Sequence, residues 1–210
     1  MRLPHRLASG DDQAAIDQVR VYQAPSETLP GGVSHTGSLF DTWDGGGDRT
    51  EVRDRFTDAD VSAGAMLSVS IPPRAIIELL SRQSGRLSEL LAEIPYDLDL
   101  HEADATVIGP GSPAWQVWDS LNEIHGIGWV TANKLLARKR PRLLPVYDEV
   151  VREVVGDPEN FWESLREALQ ADGKSLARRL RTIGAEAGAP HLSVIRVFDM
   201  IAWGTGAPTE

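Results

Sequence analysis

Residues 124–152 read IHGIGWVTANKLLARKRPRLLPVYDEVVR, and the order of glycine, apolar and charged residues in this stretch organises the rest of the chain. Gly126 and Gly128 flank Ile127, a spacing that lets the backbone turn with positive φ while the apolar residue between them plugs into a core. Trp129 to Leu136 follows with helical spacing, so the first amides of that helix are unpaired and available to an anion, phosphate above all. Between Ile124 and Tyr147 there is no Asp or Glu, but there are five cations: Lys134, Arg138, Lys139, Arg140 and Arg142. The stretch therefore predicts a helix, a tight glycine hairpin, a second helix, a basic loop, and a further helix opened by Asp148.

Helical signals continue on both sides. Upstream, Ser112-Pro113 starts a helix whose buried side is Trp115, Trp118, Leu121 and Ile124, which sets the glycine turn between two helices. Thr57 and Asp60 have the form of a capping box, and Pro72-Pro73 open a stripe of Ile76, Ile77, Leu79 and Leu80, continued by Leu87, Leu90, Leu91 and Ile94. Pro95 to Pro110 reads as an acidic connector. Downstream, Phe161, Trp162, Leu165 and Leu169 line one helix, Leu176, Leu180 and Ile183 another, and Val194 to Trp203 a strongly apolar last one. Apart from a short run at 67–71, nothing alternates as a strand. The expected fold is all-α with about eight helices, built as a helical domain over residues 57–210 behind a largely loop-like extension at 1–56.

Composition narrows the function. Without cysteine there is no disulfide framework, thiolate metal site or cysteine nucleophile. No run is apolar and long enough to span a membrane, and the N-terminal residues lack the apolar stretch of a secretory signal, so a cytoplasmic protein is expected, without a membrane partner. The net charge is −10, and the 124–147 window carries +5, which leaves −15 for the remainder. A second acid-free patch holds Lys174, Arg178, Arg179 and Arg181, whereas residues 87 to 133 have no Lys or Arg and eight acids. Only a polarised protein, with its cations gathered on one face, would suit a phosphate backbone. The five histidines show no pair at ligand spacing, so no metal site is expected. The run Asp44-Gly45-Gly46-Gly47-Asp48 is no phosphate loop, since no lysine–hydroxyl pair follows and the aspartates repel phosphate; a solvated turn is the simpler reading.

On the residues quoted above, the segment 112–155 resembles the helix-hairpin-helix DNA glycosylase superfamily. Gly126, Ile127, Gly128, Thr131, Ala132, Asn133 and Asp148 stand at matching positions. The resemblance implies duplex DNA as partner, held at the hairpin with a monovalent cation on its carbonyls and no other cofactor. It also implies a monofunctional N-glycosidic hydrolysis at Asp148. Lys134, Arg138, Lys139, Arg140 and Arg142 would steady the backbone with Gly126, Ile127, Gly128 and Thr131, and Trp129 and Tyr147 are candidates for a base pocket. Three departures matter: Val130 stands where bifunctional members carry the Schiff-base lysine, Tyr147 separates Val146 from the aspartate, and Val150 replaces the His that often follows it. The whole chain also looks like a bacterial family of unknown function. Beside the enzyme stand two other readings, a non-catalytic nucleic-acid-binding module and a helical protein-interaction domain. For Asp148 itself the plain alternative is an N-cap.

Overall fold

A computed structural model describes residues 1–25 and 32–206. Two helices, α1 (His5–Ala8) and α2 (Asp12–Gln23), precede α3 (Asp58–Met66) and α4 (Pro73–Ile77), and a π turn over Glu78–Arg82 carries α4 into α5 (Ser84–Glu93). Then come α6 (Ala105–Ile108), α7 (Pro113–Asn122), α8 (Trp129–Lys139), α9 (Glu149–Val155), α10 (Phe161–Glu186) and α11 (Val194–Gly206). The described residues are all-α, in eleven helical segments rather than about eight. The surplus is α1 and α6, single turns too short to show a periodic stripe, and α2, in the stretch expected to be largely loop. Leu67 to Ile71 forms no strand; it is a turn in which Ser68 takes a positive φ.

Local capping sets most boundaries. Thr57 N–H donates to Asp60 Oδ2 at 2.8 Å, Ser112 Oγ accepts from Trp115 N–H at 3.2 Å, and Asn160 Oδ1 accepts from Glu163 N–H at 3.2 Å. Each satisfies an amide that a helix start would otherwise leave unpaired. α10 is broken at 171–174, where Asp172, Gly173 and Lys174 are left-handed, which separates the two apolar stripes of the sequence.

The core forms around α11, whose Val194 to Ala202 are all buried and which packs on α2, α9 and α10. Full burial of a side chain such as Phe198 or Ile201 contributes roughly 1.5–3 kcal/mol. Ala15, Ile16, Val19 and Tyr22 of α2 belong to that same core, so the packing runs straight across the boundary expected near residue 56. α7 lies between α5 and α8, and α3 covers α8 from the other side.

The cations of the expected basic loop are inside the protein. Arg138 and Lys139 close α8 and Arg140 caps it, all three at most 1% exposed. Asp60 of α3 pairs with Arg138 at 3.3 Å and with Lys139 at 2.5 Å, and Lys139 Nζ also donates to the carbonyls of Gly47 and Val52. Arg140 pairs with Asp54 at 2.8 Å and donates to the carbonyl of Ile94 at 2.9 Å. A buried cation survives only with such partners. Gly46 and Gly47 are buried rather than part of a solvated turn. A Cβ on Gly47 would stand 2.6 Å from Arg138 Cγ, so the glycine run lets backbone close onto the cations.

Candidate functional site

The turn between α7 and α8 is open to solvent on one side and anchored on the other. Ile127 is buried and donates its N–H to the Ile124 carbonyl at 2.9 Å. Gly126 has φ +97°, and a Cβ there would meet Pro72 at 3.0 Å, so both conformation and contact call for glycine. His125, Gly126 and Gly128 are exposed, and nothing lies within 4 Å of where a Gly128 Cβ would be. Thr131 is half-buried in the first turn of α8.

Six residues beyond Gly128, which is roughly 9 Å along the helix axis at 1.5 Å per residue, Lys134 enters the interior. Its Nζ lies 3.0 Å from Asp148 Oδ2 and donates to the Leu67 carbonyl at 2.9 Å. Asp148 Oδ1 accepts the Val151 N–H at 3.0 Å, so this carboxylate does cap α9. The Lys134 and Asp148 side chains are 7% and 12% exposed, and both line a cavity of about 400 Å³.

The other walls come from α2, α11 and the segment that follows residue 33. Tyr22, His35 and Trp203 form an aromatic cluster in which Tyr22 stacks on His35 at 5.3 Å and Trp203 meets both edge-on. Beside them Arg196 is held between Asp41 at 2.8 Å and Asp199 at 2.9 Å. Asp199 Oδ2 also accepts the Val146 N–H at 2.9 Å, which pins the segment leading into Asp148. Burial raises the Asp199 carboxyl to about 7, against the pull of Arg196 and of that N–H. Asp199 Oδ1 is buried without a protein partner.

The residues singled out in the sequence thus divide. Lys134 and Asp148 meet at one cavity, and the glycine turn stands at the outer end of the same helix. Arg138, Lys139 and Arg140 face inward and cannot reach a phosphate from these positions, which corrects the expectation of a solvated basic loop. Arg142 is exposed, but Asp99 holds it through two hydrogen bonds of 3.0 and 2.9 Å. In the second basic patch, Lys174 pairs with Glu102 and Arg179 with Asp12, so these two cations are also matched by carboxylates.

Trp129 and Tyr147 line a different hollow, of about 430 Å³, and take no part in the Asp148 cavity. Tyr147 stacks on Phe161 at 4.2 Å, and its hydroxyl donates to the Gly156 carbonyl at 3.3 Å. Sequence reasoning missed Tyr22, His35, Asp41, Arg196, Asp199 and Trp203. The available signal was Arg196 and Asp199, two charges three positions apart inside VIRVFDMIA, the most apolar helix of the chain. Charge in such a helix is costly to bury and calls for a reason. Among the described residues no three His, Asp or Glu gather as a metal site, and no helix is long and apolar enough to cross a membrane.

No curated protein and no solved structure matches the chain. The model of a family of unknown function, DUF6308, matches residues 15–206. With nearly its whole length covered, the chain belongs to that family.

Proposed function

We propose that the protein is a helix-hairpin-helix nucleic-acid-binding protein that hydrolyses an N-glycosidic bond, related in mechanism to the monofunctional DNA glycosylases. A strand phosphate is gripped at the exposed Gly126–Gly128 turn, with the first amides of α8 as donors and room for a monovalent cation on the turn's carbonyls. The nucleotide to be cleaved turns out of its stack into the Asp148 cavity, whose aromatic walls accept a planar base. As the bond breaks, positive charge develops on the sugar, and the Asp148 carboxylate stabilises it or orients the attacking water. Lys134 fixes the direction of that carboxylate.

One observation carries this reading: the aspartate at the start of α9 is fastened by the Val151 N–H and by Lys134 at the wall of a cavity of about 400 Å³, and Lys134 stands on α8, the helix that the exposed turn opens. The test is base release from a panel of damaged duplexes. A free base should appear with at least one of them, and Asp148→Asn should slow release by ~100-fold or more. Borohydride should trap no covalent adduct, because Val130 leaves that position without an amine. Failure of every duplex to release a base would reject the enzymatic reading.

A second reading, nucleic-acid binding without chemistry, is favoured by the same ion pair, since Lys134 already occupies one Asp148 oxygen. It is favoured also by the burial of Arg138, Lys139 and Arg140, which withdraws three of the five cations of the 124–147 stretch from a duplex. Binding that persists with no release from any duplex is its signature.

A further inference from the structure

Four of the chain's six tryptophans, Trp115, Trp118, Trp129 and Trp162, line one hollow of about 430 Å³ that also takes in Tyr147 and Phe161. Burial alone does not account for them, because Trp115, Trp118 and Trp129 remain half-exposed at its mouth. The rings are set rather than loose. Trp115 lies edge-on to Trp162 at 5.7 Å and tilted against Trp118 at 5.6 Å, and Trp162 Nε1 donates to Asn133 Oδ1 at 3.1 Å.

The charge around these rings is negative. Asp157 and Glu159 line the hollow, and the adjoining depression against Trp115 adds Glu163 and Glu167. Residues 87 to 133, which supply three of the four tryptophans, contain no Lys or Arg. The single lining cation, Arg152, is paired with Glu149 and sits 5.3 Å above the Trp129 ring, so one ring here already holds a cation on its face. Asn160 spends its Oδ1 on capping α10, so this side-chain amide at the edge of the hollow is committed to the fold.

Aromatic faces attract a weakly hydrated cation, acids at the rim add to that attraction, and the same acids repel a phosphodiester. We infer that this aromatic hollow is a binding site for a small quaternary ammonium compound. The site is separate from the Asp148 cavity and does not depend on the function proposed above.

The test uses the full chain and follows tryptophan fluorescence and titration heat with choline chloride, tetramethylammonium chloride and sodium chloride at matched ionic strength. The neutral isostere 3,3-dimethyl-1-butanol separates charge from shape. Choline should bind saturably and on the order of tenfold tighter than the isostere, with tetramethylammonium also tighter than the isostere. Glu159→Gln, an exposed change that disturbs no hydrogen bond of the fold, should weaken choline several-fold, and Trp118→Leu should weaken it further while the far-ultraviolet circular dichroism is retained. Equal binding of choline and isostere would overturn the inference. So would an absence of saturation, or tighter binding of a neutral nucleoside such as uridine, which would make the hollow a stacking platform.

Discussion

Asp148 has two partners of different kind, a helix amide at 3.0 Å and the Lys134 ammonium at 3.0 Å. The amide alone would make it an ordinary cap. The ammonium brings a buried charge to the cavity wall, and removing it leaves the carboxylate desolvated and unpaired, at a cost of about 3 kcal/mol. Lys134→Met should therefore lower the urea midpoint strongly, while the double variant Lys134→Met/Asp148→Asn should recover part of the loss. A double variant as unstable as the single one would deny the coupling. Asp60 carries a heavier duty, since Arg138 and Lys139 both depend on it. Asp60→Asn should cost about 3–5 kcal/mol in chemical denaturation. Asp199 adds a dependence on pH. Its folded value rises from the ordinary 3.8 to about 7, so the folded chain holds a proton that the unfolded chain releases. The stability tied to that proton is complete below 3.8 and is lost as the pH climbs toward about 7. Between pH 4 and pH 7 Asp199→Asn should accordingly lose less stability than the parent, measured by urea midpoints across that range.

Elements whose logic is local were legible in the sequence. The Thr57–Asp60 cap, the Ser112 start of α7, the glycine turn around Ile127 and the Asp148 start of α9 each rest on residues within four positions of one another. The break in α10 was visible as two separate apolar stripes. The end of α8 was not. Arg138-Lys139-Arg140-Pro141-Arg142 has the composition of a solvated loop, and the acids that draw its first three cations inward lie 78 to 86 positions away, at Asp60 and Asp54. The glycine run at 45–47 was misread for the same reason, because its purpose lies in a contact with α8. Gly47→Ala should overpack that contact, destabilise the fold by about 1–3 kcal/mol and lower the melting temperature. A variant that melts with the parent would show that the segment does not press on α8. The walls of the Asp148 cavity were equally hidden, since Tyr22 and Arg196 come from opposite ends of the chain and only α2 against α11 joins them.

At the scale of the molecule, five of the 21 Lys and Arg side chains are neutralised inside. Lys134, Arg138, Lys139, Arg140 and Arg196 are buried against carboxylates, so the net −10 is carried by a surface with fewer free cations than the composition suggests. Nucleic-acid binding, where it occurs, should then have a shallow dependence on salt. With one or two phosphate contacts the slope of log K against log salt is about −1 to −2, and a slope of −4 or steeper would mean that exposed arginines beyond the turn, such as Arg74 and Arg82 beside His125, also engage the backbone. The most direct measurement of the central proposal takes wild-type protein and Asp148→Asn on one damaged duplex, recording strand binding and release of the free base in the same reaction. The account predicts equal binding, with release by the wild type and almost none by the variant. Release that is equal in the two, or lost only together with binding, would contradict it.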